Sequence, residues 1–208
     1  MESEKKLLCR CAACGKEAAC TTVSLIREDK QKQVEDMSLF RFRCPACGHV
    51  MKLLYPCLYW NEEKKILVWF LDQQNIEQWK EMVSKQTQEQ MLGACKRYCH
   101  TLEEFAEKVR ILESGLEDRA IELLKMVTFA RVHMQQPKLQ AIYFYQINQD
   151  GAIEFILYEG DDTNGIEVPA ATYQEMCHIV AEELPALDHE FCCIDLEWAG
   201  GQIMQMQE

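Results

Sequence analysis

Along the first 72 residues the apolar positions come in short runs with the two-residue period of β-structure. Residues 20–28, CTTVSLIRE, read as a strand. In LFRFRC (39–44), Phe40 and Phe42 fall on one face and Arg41 and Arg43 on the other. HVMKLLYPCLYW (49–60) reads as extended chain, bent or edged at Pro56 because proline cannot donate to a ladder. KKILVWFLD (64–72) is apolar on both faces and predicts a buried strand.

The period then changes to that of a helix. Ile76, Trp79, Met82 and Val83 are spaced for one face of a helix within 73–92. A second helix is predicted from Thr101, where Thr101 and Glu104 fit a capping box and Gly115 is a stop. Its apolar face is Leu102, Phe105, Ala106, Val109 and Leu112. A third follows in LEDRAIELLKMVTFARV (116–132), with acids in the first turn. From Pro137 the pattern returns to strands. LQAIYFYQI and AIEFILYEG flank NQDG, a hairpin signal. ATYQEMCHIVAEEL (171–184) predicts an amphipathic helix, and FCCIDLEW (191–198) a last strand. The expected fold class is α+β: an N-terminal β unit (1–72), a helical region packed on it (73–136), and a C-terminal β-β-α-β unit (137–208).

Cysteine usage sharpens this. Twelve cysteines is many for 208 residues. With no export signal at the N-terminus and no apolar run near the roughly 20 residues of a membrane helix, reduced thiols and metal ligands are favoured over a disulfide framework. The expected setting is the cytoplasm, with no membrane partner. Cys11-Ala-Ala-Cys14-Gly15 and Cys44-Pro-Ala-Cys47-Gly48 repeat one device: two thiols three positions apart on a tight turn, with a glycine where the chain turns beneath them. The 29 residues between Cys14 and Cys44 let strands run out and return. That is the layout of a zinc ribbon, with one structural zinc per chain on Cys11, Cys14, Cys44 and Cys47; the spacing also admits iron. Cys9, Cys20 and His49 lie near enough to compete as ligands but read as strand or supporting positions.

These residues resemble the CpXC domain family, mostly bacterial proteins of unassigned function. The resemblance runs over roughly 8–130, through CxxCG at 11–15, FRFRCPACG at 40–48, YPCLYWN at 55–61 and LEEFAEKVRILESGLEDRAIELLK at 102–125. Ala12 stands where the family has proline. The resemblance implies metal-binding cysteines and a helical region, and no activity.

The net charge is −12, split unevenly: residues 1–56 carry 10 basic against 7 acidic residues, the remainder 12 against 27. A mildly basic head on an acidic body favours a protein partner over nucleic acid. Other groupings read as structural. Glu113, Asp118, Arg119 and Glu122 are helix-start charges with a salt bridge to Arg119. Cys95, Cys99 and His100 form at most half a metal site. Cys192 and Cys193 are strand positions, and EGDDTNG (159–165) is a surface turn. No phosphate loop, nucleophile elbow or dinucleotide fingerprint occurs. The expected function is a non-catalytic interaction module. The rivals are a thiol-redox enzyme or another enzyme without a recognisable motif, and a nucleic-acid binder using Lys16, Arg41 and Arg43.

Overall fold

A computed structural model describes residues 4–71, 93–187 and 191–206. The helix expected over 73–92 lies outside them. The chain divides into two compact units, Met1–Arg110 with Asp188–Cys192, and Ile111–Leu187 with Cys193–Glu208.

The first unit begins with two antiparallel hairpins. Strands β1 (Glu4–Arg10) and β2 (Glu17–Val23) pair with Arg10 opposite Glu17. Strands β4 (Arg41–Arg43) and β5 (Val50–Lys52) pair with Arg43 opposite Val50. Each hairpin turn is one CxxCG segment. Between the hairpins run β3 (Leu25–Arg27) and a short helix α1 (Gln31–Glu35).

Behind them is a four-stranded mixed sheet in the order β3, β6 (Cys57–Asn61), β7 (Ile66–Phe70), β8 (Cys95–Cys99). Every residue of β6 and β7 is buried, as their unbroken apolar sequence requires. Leu58, Trp60, Leu67 and Trp69 share one apolar cluster. On the Phe70 side, Phe105 of helix α2 (Leu102–Glu113) meets Phe70 with ring centroids 5.9 Å apart and Phe40 at 6.1 Å. The capping box forms as the sequence predicts: Glu104 N–H donates to Thr101 Oγ1 (3.2 Å) and Thr101 N–H to Glu104 Oε2 (3.1 Å).

In the second unit, helix α3 (Asp118–Gln135) lies between a sheet and two further helices. Its Ile121 and Leu124 pack on Ile142, Phe144, Phe155 and Leu157 of the sheet. Ala120 and Leu123 pack on Val180 of α4 (Ala170–Glu183) and Ala199 of α5 (Leu196–Met206). The sheet is antiparallel, ordered β11 (Asp162–Val168), β10 (Ile153–Glu159), β9 (Ala141–Ile147). In the β9–β10 turn, Asn148 Oδ1 accepts from the N–H groups of Asp150 and Ala152.

The C-terminal unit is therefore three strands and two helices, with two departures from the predicted β-β-α-β order. The acidic stretch read as a turn at 159–165 is mostly strand β11. Glu159 faces Asp162 across a two-residue turn, and residues 162–168 follow as an exposed edge. A polar edge strand lacks the apolar alternation that announces an inner one. The segment read as a last strand is also different. Among the described residues only Cys192 of this segment makes a bridge, to Arg97, and the chain becomes helical at Leu196. Asp195 caps that helix, accepting Trp198 N–H at 2.8 Å. Gly200 and Gly201 masked its helical character in the sequence. A Cβ on Gly200 would lie 2.8 Å from Met126 Cε, so a larger residue there displaces Met126 where α5 approaches α3.

Candidate metal centre

The two CxxCG turns have the same backbone. In the first, Gly15 N–H bonds to Cys11 O (2.9 Å) and Cys11 N–H to Lys16 O (2.9 Å). In the second, Gly48 N–H bonds to Cys44 O (2.9 Å) and Cys44 N–H to His49 O (2.8 Å). Gly15 and Gly48 sit at φ +71° and +75°, the left-handed region that an L side chain avoids. These glycines reverse the chain within six residues, so that both sulfurs of each turn face one point.

The four sulfurs do converge. The ligand atoms of Cys11, Cys14, Cys44 and Cys47 all lie within 4.8 Å of one another. Cys11 Sγ is 3.6 Å from Cys47 Sγ, and Cys14 Sγ is 3.8 Å from Cys44 Sγ. Four sulfurs placed tetrahedrally at a zinc–sulfur distance of about 2.3 Å would be about 3.8 Å apart. The arrangement thus fits one four-coordinate metal ion shared by the hairpins. Cys11 and Cys44 are buried while Cys14 and Cys47 are exposed, so the site is closed on its protein side.

The thiols influence one another's ionisation. Cys11 is drawn down to about 6, chiefly by the Cys14 backbone N–H, against the opposing effect of burial. Cys47 is pulled down by the His49 backbone N–H. Hydrogen bonding to Cys14, burial, and its Cys11 and Cys44 neighbours outweigh that and push it up to about 12. Crowded thiols resist becoming four anions together. A dication in their midst removes that resistance.

Two supporting arginines escaped the sequence reading. Arg10 Nε donates to Gly15 O (3.2 Å), and Arg43 Nη1 to Gly48 O (3.3 Å). Each bond spans five residues and closes its turn in the same way. The signal was present, because the repeated unit is Arg-Cys-x-Ala-Cys-Gly, not only CxxCG. Met51 Sδ also accepts Ala12 N–H at 3.3 Å, linking the second hairpin to the first turn.

His49 is exposed and outside the four-sulfur group. Cys9 and Cys20 are not competing ligands either: they form a disulfide across β1–β2, with Cα atoms 6.3 Å apart. That corrects the expectation of reduced thiols for this pair; the other ten cysteines form no disulfide. Cys20 faces Leu7, two residues from Cys9 on the same face, which brings the thiols into diagonal reach. Among the described residues, no group of three or more ligand side chains includes Cys95, Cys99 or His100.

Glu113, Asp118 and Glu122 are buried. Arg119 pairs with Glu117 (2.9 Å) and donates to Pro185 O. Glu122 pairs with Lys125 at 3.0 Å, both nearly inaccessible.

A family model described as CpXC protein matches residues 9–125. No curated protein and no solved structure matches the chain.

Proposed function

The chain belongs to the CpXC protein family, and we propose from that premise that it is a non-catalytic, zinc-holding interaction module. The observation that carries the reading is the four-sulfur cluster built by two matched hairpin turns. Four thiolates fill a tetrahedral ion's coordination, which leaves no position for a substrate or an activated water. The metal's role is then structural: it ties together two hairpins too small to hold themselves. Zinc is preferred to iron because a closed structural site of this kind needs no redox change.

A protein partner is supported by what the hairpins and the chain following them expose. Leu7, Leu8, Val50 and Leu54 are all large apolar residues open to solvent, Leu8 at 76% and Leu54 at 68% of full exposure. The acidic balance of the whole chain disfavours a phosphate backbone as the partner. No helix among the described residues is long and apolar enough to cross a membrane.

Metal analysis of the purified chain tests the reading. One colourless zinc per chain is expected. A red, visible-absorbing protein would make the ion iron. A chain that takes up no metal, or whose hairpins are unchanged by a chelator, would remove the structural role.

A further inference from the structure

The sheet of the second unit ends in an edge that borders a groove. Strand β11 has β10 on one side and, among the described residues, no strand on the other. Asn164, Gly165 and Ile166 of β11 line a groove of about 430 Å³ together with Leu157 of β10 and Arg131 and Val132 of α3. Successive side chains of a strand point to opposite faces, so a groove that takes in three consecutive residues is lined partly by backbone. Asn164 lies opposite Leu157 in the β10–β11 register, and Ile166 packs against the apolar cluster that Leu157 belongs to. Asn164 and Ile166 therefore share the α3 side of the sheet, and by alternation Glu167 points to the other side. The outer N–H and C=O groups of an edge strand are a template for a further strand.

The groove's chemistry narrows what could lie there. Arg131 is exposed and makes no ion pair among the described residues, and no residue three or four positions from it on α3 is acidic. Beside it are the apolar Val132, Leu157 and Ile166. One cation next to apolar surface suits a segment that turns apolar and acidic side chains inward. The opposite face of β11 carries Glu167 and suits basic ones. A second copy laid edge to edge fits poorly, because it would bring three more acids to a seam that already has Asp161, Asp162 and Glu167.

We propose that the outer edge of β11 is a docking site for an extended segment of another protein, which adds to the sheet as a fourth strand. Main-chain bonds to β11 hold it, and its alternate side chains enter the groove, one carboxylate against Arg131. The site belongs to the second unit and does not rest on the metal centre.

The test uses the full, metal-loaded chain and a fluorescein-labelled peptide, Lys-Val-Lys-Glu-Lys-Val-Lys, whose valines and glutamate share one face of a strand. Saturable binding by fluorescence anisotropy is expected, together with slower hydrogen exchange in 162–168. Arg131→Gln should weaken binding about 2- to 5-fold, as for an exposed ion pair. A peptide with glutamine for glutamate should bind that much more weakly to the wild type and be indifferent to Arg131→Gln. Removing the metal with a chelator should leave the affinity unchanged, which separates this result from the metal reading. Arg131 is exposed, so its variant is expected to fold. Four results would overturn the proposal: no saturable binding, equal binding of the composition-matched Lys-Lys-Val-Val-Glu-Lys-Lys, an affinity indifferent to Arg131→Gln, or binding lost with the metal. Protection of 162–168 that rises with protein concentration alone would make the occupant a second copy and overturn it too.

Discussion

Gly48→Ala isolates the backbone geometry of the metal site. Gly48 sits at φ +75°, and a Cβ built there meets nothing within 4 Å. The substitution therefore adds no clash and acts through conformation alone. Holding an L-residue in the left-handed region costs about 1–2 kcal/mol. Alanine also restricts the unfolded chain, which returns about 0.4–1 kcal/mol. The remainder, about 0.5–1.5 kcal/mol, falls on the state in which the turn is closed around the ion. At about 1.4 kcal/mol per decade, metal affinity should weaken about 2- to 12-fold. Competition against a chromophoric chelator reads this directly. Gly48→Asn should lie between wild type and alanine, since asparagine tolerates this conformation better. Gly165→Ala is the control, because Gly165 has equal space around its Cβ position and no positive φ. Affinity unchanged in Gly48→Ala, or asparagine no better than alanine, would refute the claim that left-handed geometry assembles the site.

Three further outcomes are expected. Arg43→Ala removes the bond to Gly48 O, so affinity should drop about 2- to 5-fold for one exposed hydrogen bond, with Arg43→Lys recovering part of it; chelator competition measures both. Thr101→Ala opens the capping box of α2 and should cost about 1 kcal/mol in denaturant unfolding, with Thr101→Ser close to wild type. Burial raises the Cys57 thiol well above its ordinary 9.0, so its contribution to stability is complete below pH 9 and is lost as pH rises further, because only the unfolded chain ionises there. Urea unfolding between pH 7 and 10.5 should show stability falling above about 9, with a shallower fall in Cys57→Val.

The sequence made the elements with strong local signals legible. The buried strand at 66–70, the capping box at Thr101 and the Asn148 turn follow from period and from residues that satisfy their own backbone. The four-cysteine group was legible because the spacing of the thiols and the glycines after them are local demands that a shared ion would make. What was lost depends on partners distant in sequence. Strand β8 is recognisable only as the parallel neighbour of β7, and its CKRYC sequence has no β signature of its own. Edge strand β11 is polar because one side of it faces water. Helix α5 carries two glycines, of which Gly200 lies where the helix approaches α3. The Cys9–Cys20 bridge needed the β1–β2 register, which periodicity alone does not fix.

The two hairpins should not depend equally on the metal. Two-stranded hairpins are marginal in water; β4 and β5 bury no residue, and the first hairpin buries only Cys20, Thr22 and Val23 of β2, so burial contributes nothing to the second and a little to the first. The first has seven paired positions and the Cys9–Cys20 bridge. By loop entropy, a crosslink over 11 residues contributes about 3 kcal/mol. The second has three paired positions and no disulfide, so the proposed ion would be its crosslink. The sheet behind them owes its stability to the burial of β6 and β7. Removing the metal should therefore release the second hairpin first, loosen the first less, and leave the sheet intact. Hydrogen exchange compares the three regions in one experiment. On chelation, amides of 41–52 should lose most protection, those of 4–23 less, and those of 57–70 almost none. Adding a reductant should bring the first hairpin down to the level of the second. Equal loss in both hairpins while the disulfide is intact would mean that the bridge gives no independent support. Loss extending into 57–70 would mean that the metal holds the whole unit and not its hairpins alone.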